Sequence, residues 1–175
     1  MTVAAWVVAI LVASVGMGVG ACVETEDRVV VEITASGVNV AEELDTLELT
    51  VTASRTAAGD SLCVPYTVTY SLATADSSRI ELPYSVEVVP GATFDKLVYV
   101  RVVGRHYGTV RYKSERMASL SGGDSRLHVV ISADCLGVGT GYGQHCQGGL
   151  ATESPYARIF DEDQYVVPGE KCRTD

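Results

Sequence analysis

A period-two alternation of apolar and polar residues dominates the middle of this 175-residue chain and restricts it to β-structure. The clearest segment is 45–53, DTLELTVTA, in which every second residue from Leu47 onward is apolar. Successive side chains of a strand point to opposite faces, so this segment predicts a strand with one buried face and one polar face. No stretch from residue 28 onward shows the repeat of an amphipathic helix, and AEEL at 41–44 amounts to a single turn.

Seven segments of this kind follow one another, separated by turn residues such as Pro90-Gly91. They are 28–34, 45–53, 62–72, 80–89, 96–103, 108–113 and 126–133. About seven short strands without helices are typical of an immunoglobulin-like or transthyretin-like antiparallel β-sandwich. The spacing of the strands does not distinguish these two topologies.

Tyrosine supplies much of the aromatic bulk of this predicted sandwich. The only tryptophan, Trp6, lies in the N-terminal leader and not among the strands. The tyrosines that fall within the predicted strands are Tyr66, Tyr70, Tyr84, Tyr99 and Tyr112. Most of them are expected to be buried or paired across strands.

The first 21 residues form an uncharged leader ahead of the strands. The stretch from Val3 to Val15 is almost continuously apolar, and small residues accumulate after it. This order is typical of a secretory signal peptide. The leader ends in Val19-Gly20-Ala21-Cys22, which resembles the lipobox of bacterial lipoproteins.

The lipobox resemblance implies that Cys22 is lipidated and becomes the mature N-terminus. Two or three acyl chains, each contributing about 0.8 kcal/mol per buried CH₂, would anchor the chain permanently. The leader has no Lys or Arg at its start, so a plain cleaved signal and an uncleaved membrane anchor stay open as alternatives. Each alternative places the remainder outside the cytoplasm, with the outer membrane or periplasmic face favoured.

Residues 135–175 differ in composition from the strands. The glycine-rich stretch LGVGTGYGQHCQGG lacks alternation and predicts a loop, not a strand. A short strand or turn is expected at 156–160. The combination of a sandwich with a Gly/Cys tail resembles small predicted envelope lipoproteins. The chain is therefore divided into a signal peptide at 1–21, a lipidated Cys and tether at 22–27, a sandwich at 28–134 and a tail at 135–175.

Four cysteines are left once Cys22 is assigned to the lipid, and an even number in an exported domain predicts two disulfides. Four cysteines allow three connectivities. The favoured pairs are Cys135 with Cys146, which closes the glycine loop, and Cys63 with Cys172, which ties the tail to the sandwich. A metal site at Cys135, His145 and Cys146 is disfavoured because adjacent residues seldom converge on one ion.

Residues 59–62 spell GDSL and resemble the nucleophile block of GDSL esterases. That resemblance implies Ser61 as nucleophile, with a late Asp and His as its partners. The nearest pair, Asp124 and His128, has the wrong spacing, and in a strand the two side chains would lie about 13 Å apart. A turn between two strands is the preferred interpretation of GDSL.

The net charge of −9 argues against nucleic acid and anionic lipid headgroups as partners. The acidic cluster Asp161-Glu162-Asp163 is interpreted as a solvated loop, not a calcium site, and no metal or cofactor is expected. His106 and His128 are expected to be exposed or at a rim.

The resulting hypothesis is a non-enzymatic, lipid-anchored envelope protein that acts as a structural or interaction module. Its expected partners are the membrane, through the lipid, and other envelope proteins or cell-wall glycan. The alternative is a carbohydrate- or ligand-binding sandwich, which would expose coplanar tyrosines. A GDSL-type esterase that uses Ser61 is the remote alternative.

Overall fold

The computed structural model describes the sandwich and parts of the tail. The residues it describes are 28–54, 62–63, 65–73, 75–89, 97–120, 125–140, 144–156, 159 and 173–174. The leader, Cys22, Ser61, Cys172 and the acidic cluster at 161–163 lie outside these residues. None of the helices within the described residues is long and apolar enough to span a membrane.

Strands account for most of the described residues. In chain order the elements are β1 Val29–Ser36, α1 Val40–Glu43, β2 Thr46–Ser54, β3 Tyr66–Ser71, β4 Tyr84–Val89, β5 Leu97–His106, β6 Thr109–Ser119, β7 Ser125–Ser132, a 3-10 turn at Ala133–Cys135, β8 Gln144–Gln147, β9 Leu150–Glu153 and β10 Arg173–Thr174. The seven strands predicted from the alternation correspond to β1–β7. The predicted all-β sandwich is therefore confirmed.

Two four-stranded sheets form the sandwich. Sheet A has the order β10-β4-β1-β7, and sheet B has the order β3-β2-β5-β6. Sheet B is antiparallel throughout, as expected, whereas β1 of sheet A pairs in parallel with β7. A parallel pair needs a long crossover connection, and the strands β2–β6 between β1 and β7 provide it.

The core lies between the two sheets and consists of the residues that alternate inward. In β2, Leu47, Leu49, Val51 and Ala53 are completely buried, as the sequence pattern predicts. Valines and isoleucines of β1, β4, β5 and β7 complete this cluster. β-branched side chains suit the surface of a pleated sheet, which explains their abundance in these strands.

Four strand boundaries differ from the sequence prediction by three residues or more. The third strand begins at Tyr66 and not at Leu62, and the fifth ends at His106 and not at Val103. The fourth strand begins at Tyr84 and not at Ile80, because Pro83 has no N–H to donate to a ladder. The sixth strand continues to Ser119, six residues beyond the predicted end. Its second half carries charged residues, which hide the alternation.

The expectation that the glycine-rich part of the tail contains no strand is wrong. Gln144–Gln147 and Leu150–Glu153 pair as an antiparallel hairpin. The two residues between them, Gly148 and Gly149, have φ angles of 57° and 81°. Positive φ at both central positions is what a two-residue hairpin turn requires, and glycine adopts it without strain.

The three cysteines that the structure describes are all disulfide-bonded. The predicted bond between Cys135 and Cys146 is present, with a Cα–Cα distance of 5.6 Å. Cys63 is also disulfide-bonded. Because Cys172 lies outside the described residues, the pairing of Cys63 with Cys172 stays a prediction.

The tail forms a third layer on the outer face of sheet B. Tyr156 and Ile159 pack against Leu62, Leu97 and Tyr99, which are almost completely buried. The polar face of β2 is buried in the same region, where the Thr52 hydroxyl donates to the carbonyl of Cys63 at 2.8 Å. The alternation predicts that this face is polar but does not predict that Thr50, Thr52 and Ser54 are buried.

Replacing Leu49 by Ala should destabilise the fold strongly, because it removes a completely buried side chain and leaves a cavity between the sheets. The expected loss is about 2–5 kcal/mol in the free energy of unfolding, measured by urea denaturation. The same substitution at Leu150, which is 69% exposed, should change that free energy by less than about 0.5 kcal/mol. Equal losses in the two variants would contradict this core.

Candidate binding site

A cleft on the outer face of sheet B concentrates positive charge in an otherwise acidic chain. We call it the basic cleft. It has a volume of about 250 Å³ and is lined by Glu48, Arg101, Val103, Arg105, Val110, Lys113 and Thr140. Three cations thus face one carboxylate, whereas the whole chain carries a formal charge of −9.

Strand alternation and register place these side chains together. Arg101, Val103 and Arg105 are every second residue of β5 and therefore share its outer face. Val103 pairs with Glu48 of β2 on one side and with Lys113 of β6 on the other. Three strands distant in sequence thus contribute one row of neighbouring side chains.

Arg105 connects the basic cleft to the β5–β6 turn. Its Nη2 lies 3.4 Å from Oε2 of Glu48, and its Nη1 donates to the carbonyl of Gly108 at 3.5 Å. A guanidinium has five N–H donors. These contacts hold the side chain in place and leave donors for a ligand.

Lys113 is held by a buried carboxylate next to the cleft. Its Nζ lies 3.3 Å from Oε1 of Glu115, whose side chain is almost completely buried. Ser154 Oγ donates a hydrogen bond to Oε2 of the same carboxylate and accepts one from the backbone N–H of Tyr156 at 3.1 Å. Glu115 therefore joins the cleft to the tail.

His145 of β8 lies close to the same charges. Its side chain is buried, and its Nδ1 has no hydrogen-bond partner among the residues that the structure describes. Burial lowers the pKa of His145 below its usual 6.5, and the positive charges of Arg116 and Lys113 lower it further against the opposing effect of Glu115. This shift favours the neutral imidazole at this point of the tail.

The turn between β5 and β6 projects an exposed aromatic side chain beside the basic cleft. Tyr107 is 86% exposed and has a φ of 47°, followed by Gly108 with a φ of 78°. Its backbone N–H donates to the Asp45 carboxylate, and its ring centroid lies 4.3 Å from that of His106. A tyrosine in the left-handed region costs about 1–2 kcal/mol, so this residue is not there for stability.

The Tyr107 turn lies at the end of the sandwich opposite the entry of the chain. The pairing of Thr46 with Arg105 places this turn beside the start of β2. β1 ends at Ser36, and the chain then continues through α1 into β2. Val29, the first residue of β1, is at the other end of the sandwich.

A second, more apolar cleft opens at the same end of the molecule. Its volume is about 360 Å³, and it lies between the β1–β2 and β3–β4 connections. Val38, Leu72 and Ile80 line it, together with the ion pair of Arg79 and Glu81 at 2.6 Å.

The tyrosines do not form an exposed coplanar platform among the described residues. The rings of Tyr70 and Tyr84 meet edge-on at 63° with centroids 5.1 Å apart. Burial, together with a hydrogen bond to Tyr84, raises the pKa of Tyr70 to about 12. Tyr99 is buried beneath Tyr156 on the outer face of sheet B.

Of the three residues that a GDSL-type esterase site would use here, Ser61, Asp124 and His128, the structure describes only His128. Ser61 and Asp124 lie outside the described residues, but Leu62 bridges to Ser54 at the edge of sheet B. His128 is exposed on the outer face of sheet A, where its Nδ1 lies 3.1 Å from Glu32. Within the described residues, no three metal-ligating side chains cluster.

No protein-family model, no curated protein and no solved structure matches this chain. The basic cleft was not predicted from the sequence. The only sequence signal for it was the spacing of Arg101 and Arg105, which places two cations on one face of a predicted strand.

Replacing Tyr107 by Asn should leave the fold intact and raise the free energy of unfolding by up to about 1 kcal/mol, because Asn-Gly suits a turn with two positive φ angles. Replacing Gly108 by Ala should lower it by about 1 kcal/mol or more, since Ala is strained at a φ of 78°. Urea denaturation measures both changes. A loss of more than about 1 kcal/mol in the Asn variant would contradict the strain at Tyr107.

His145 should make stability depend on pH. Its pKa is lower in the folded than in the unfolded chain, so the unfolded chain takes up the proton first as the pH falls through 6.5. The free energy of unfolding should therefore fall more between about pH 7.5 and about pH 5 in the wild type than in a His145→Gln variant. Identical pH profiles of the two proteins would refute this role of His145.

Proposed function

We propose that this chain is an exported, lipid-anchored and non-enzymatic interaction module of the bacterial cell envelope. The lipid would be carried by Cys22. The sandwich would present its opposite end, with the basic cleft and Tyr107, to a partner in the envelope.

The disulfides carry the proposal of export. Cys135 and Cys146 are bonded to each other, and Cys63 is bonded as well. Disulfides persist in oxidising compartments, outside the cytoplasm. These disulfides involve cysteines that come later in the chain than Cys22. This is consistent with a separate role for Cys22, which lies in the lipobox-like sequence.

The position of the exposed features supports an interaction role. A tether of five residues after Cys22 spans at most about 18 Å, so the β1 end of the sandwich would stay close to the bilayer. The opposite end carries the strained, exposed tyrosine and an arginine. Tyrosine and arginine are enriched among the residues that dominate binding energy at protein interfaces.

The absence of catalysis is part of the proposal. The GDSL-like sequence needs a histidine within hydrogen-bond reach of Ser61. His128 lies on the outer face of sheet A, whereas Leu62, the residue after Ser61, lies at the edge of sheet B. The separation of these two positions counts against His128 as the partner of Ser61.

The intact mass of the mature protein tests the proposal. The wild type should lose residues 1–21 and gain the mass of two or three acyl chains, whereas Cys22→Ala should gain no lipid mass. Thr25→Ala, a control in the same tether that keeps the cysteine, should behave as the wild type. A lipid mass that persists in Cys22→Ala, or an unprocessed wild type, would overturn the anchor.

A further inference from the structure

We infer that the basic cleft and the adjoining Tyr107 turn bind an acidic peptide segment of a partner protein. The inference rests on the proposed interaction function and specifies its ligand. Carboxylates would bind Arg105 and the neighbouring cations, and the peptide would pack against the exposed Tyr107 and Val110.

The charges of the cleft select an anion. Arg101, Arg105 and Lys113 line it together with Glu48, and the Glu115 carboxylate pairs with Lys113 beside it, so the three cations exceed the two carboxylates by one charge. Arg105 is kept in place by Glu48 and by the carbonyl of Gly108. An arginine that is already oriented loses little side-chain entropy when it binds a carboxylate, and a charge-assisted hydrogen bond is stronger than a neutral one.

A hydroxyl in the cleft also points to a ligand. Thr140 lines the basic cleft, and its Oγ1 is buried without a hydrogen-bond partner among the described residues. Buried polar atoms nearly always have partners. A ligand carboxylate would accept a hydrogen bond from this hydroxyl.

The shape of the site favours a peptide over an acidic glycan. The cleft holds about 250 Å³, which is less than a typical pocket for a drug-sized molecule and fits one side chain at a time. Tyr107 stands on a turn and is 86% exposed, whereas the other described tyrosines at this face, Tyr99 and Tyr156, pack against each other. A sugar ring would need a flat aromatic platform, whereas a peptide only needs apolar contact beside a row of cations.

Binding of a fluorescein-labelled hexaglutamate peptide to the full chain in detergent tests the inference. Fluorescence anisotropy should detect saturable binding that weakens with added salt, and a hexalysine peptide should not bind. Arg105→Gln should weaken the binding at least about fivefold. Arg126→Gln on the outer face of sheet A makes the same change in net charge and should weaken it by about twofold or less.

Two further variants test the role of the exposed ring. Tyr107→Asn should weaken binding of the peptide about threefold, because it removes the apolar contact and keeps the turn. Leu150→Asn removes another exposed apolar side chain, from β9, and should have no effect. Equal effects of these two variants would remove Tyr107 from the site.

The outcomes separate this inference from the proposed function. Absence of hexaglutamate binding, or equal weakening by Arg105→Gln and Arg126→Gln, would overturn the peptide site even if Cys22 is lipidated. Tighter binding of an oligogalacturonate than of hexaglutamate would overturn it in favour of an acidic glycan. Binding by a chain whose Cys22 proves to be unmodified would support the site and refute only the anchor.

Discussion

The antiparallel ladder between β2 and β5 organises the rest of the structure. It joins nine residue pairs, from Thr46 with Arg105 to Ser54 with Leu97. The inner face of β2 contributes the centre of the apolar core, and the outer face meets the tail at one end and forms the basic cleft at the other. Because side chains alternate along both strands, one register fixes the core, the tail contact and the cleft together. A shift by one residue would exchange the two faces of each strand.

Burial extends to the outer face of β6 at the edge of sheet B, where a charged side chain lies. Glu115 is almost completely buried, and a buried carboxylate is tolerated only with good partners. Lys113 and Ser154 supply them from β6 and from the tail. The same carboxylate therefore fixes a lysine of the cleft and attaches the tail to the sheet. Loss of either partner would leave the Glu115 carboxylate buried without full compensation, so Glu115, Lys113 and Ser154 depend on one another.

The sequence predicted the parts of the fold that depend on local pattern. The strict alternation at 45–53 identified β2 because its inner face is buried by the opposite sheet. The second half of β6 was missed because Glu115 is charged and its burial depends on the tail. The hairpin at 144–153 was missed because its turn glycines made the whole stretch look like a loop. In each case a contact distant in sequence decided the outcome.

The basic cleft could not be predicted for a related reason. Its row of Glu48, Val103 and Lys113 exists only through the registers of two ladders, and no local pattern encodes a register between distant strands. The two-residue turn at Tyr107-Gly108 was not predicted either, because the sixth strand was expected to begin at Gly108. Asn or Asp is the usual choice before that glycine, and Tyr is not. Tyr107 therefore lowers the stability of the turn and exposes an aromatic ring beside three cations, and a residue that is unfavourable for folding and accessible at the surface is best explained by binding.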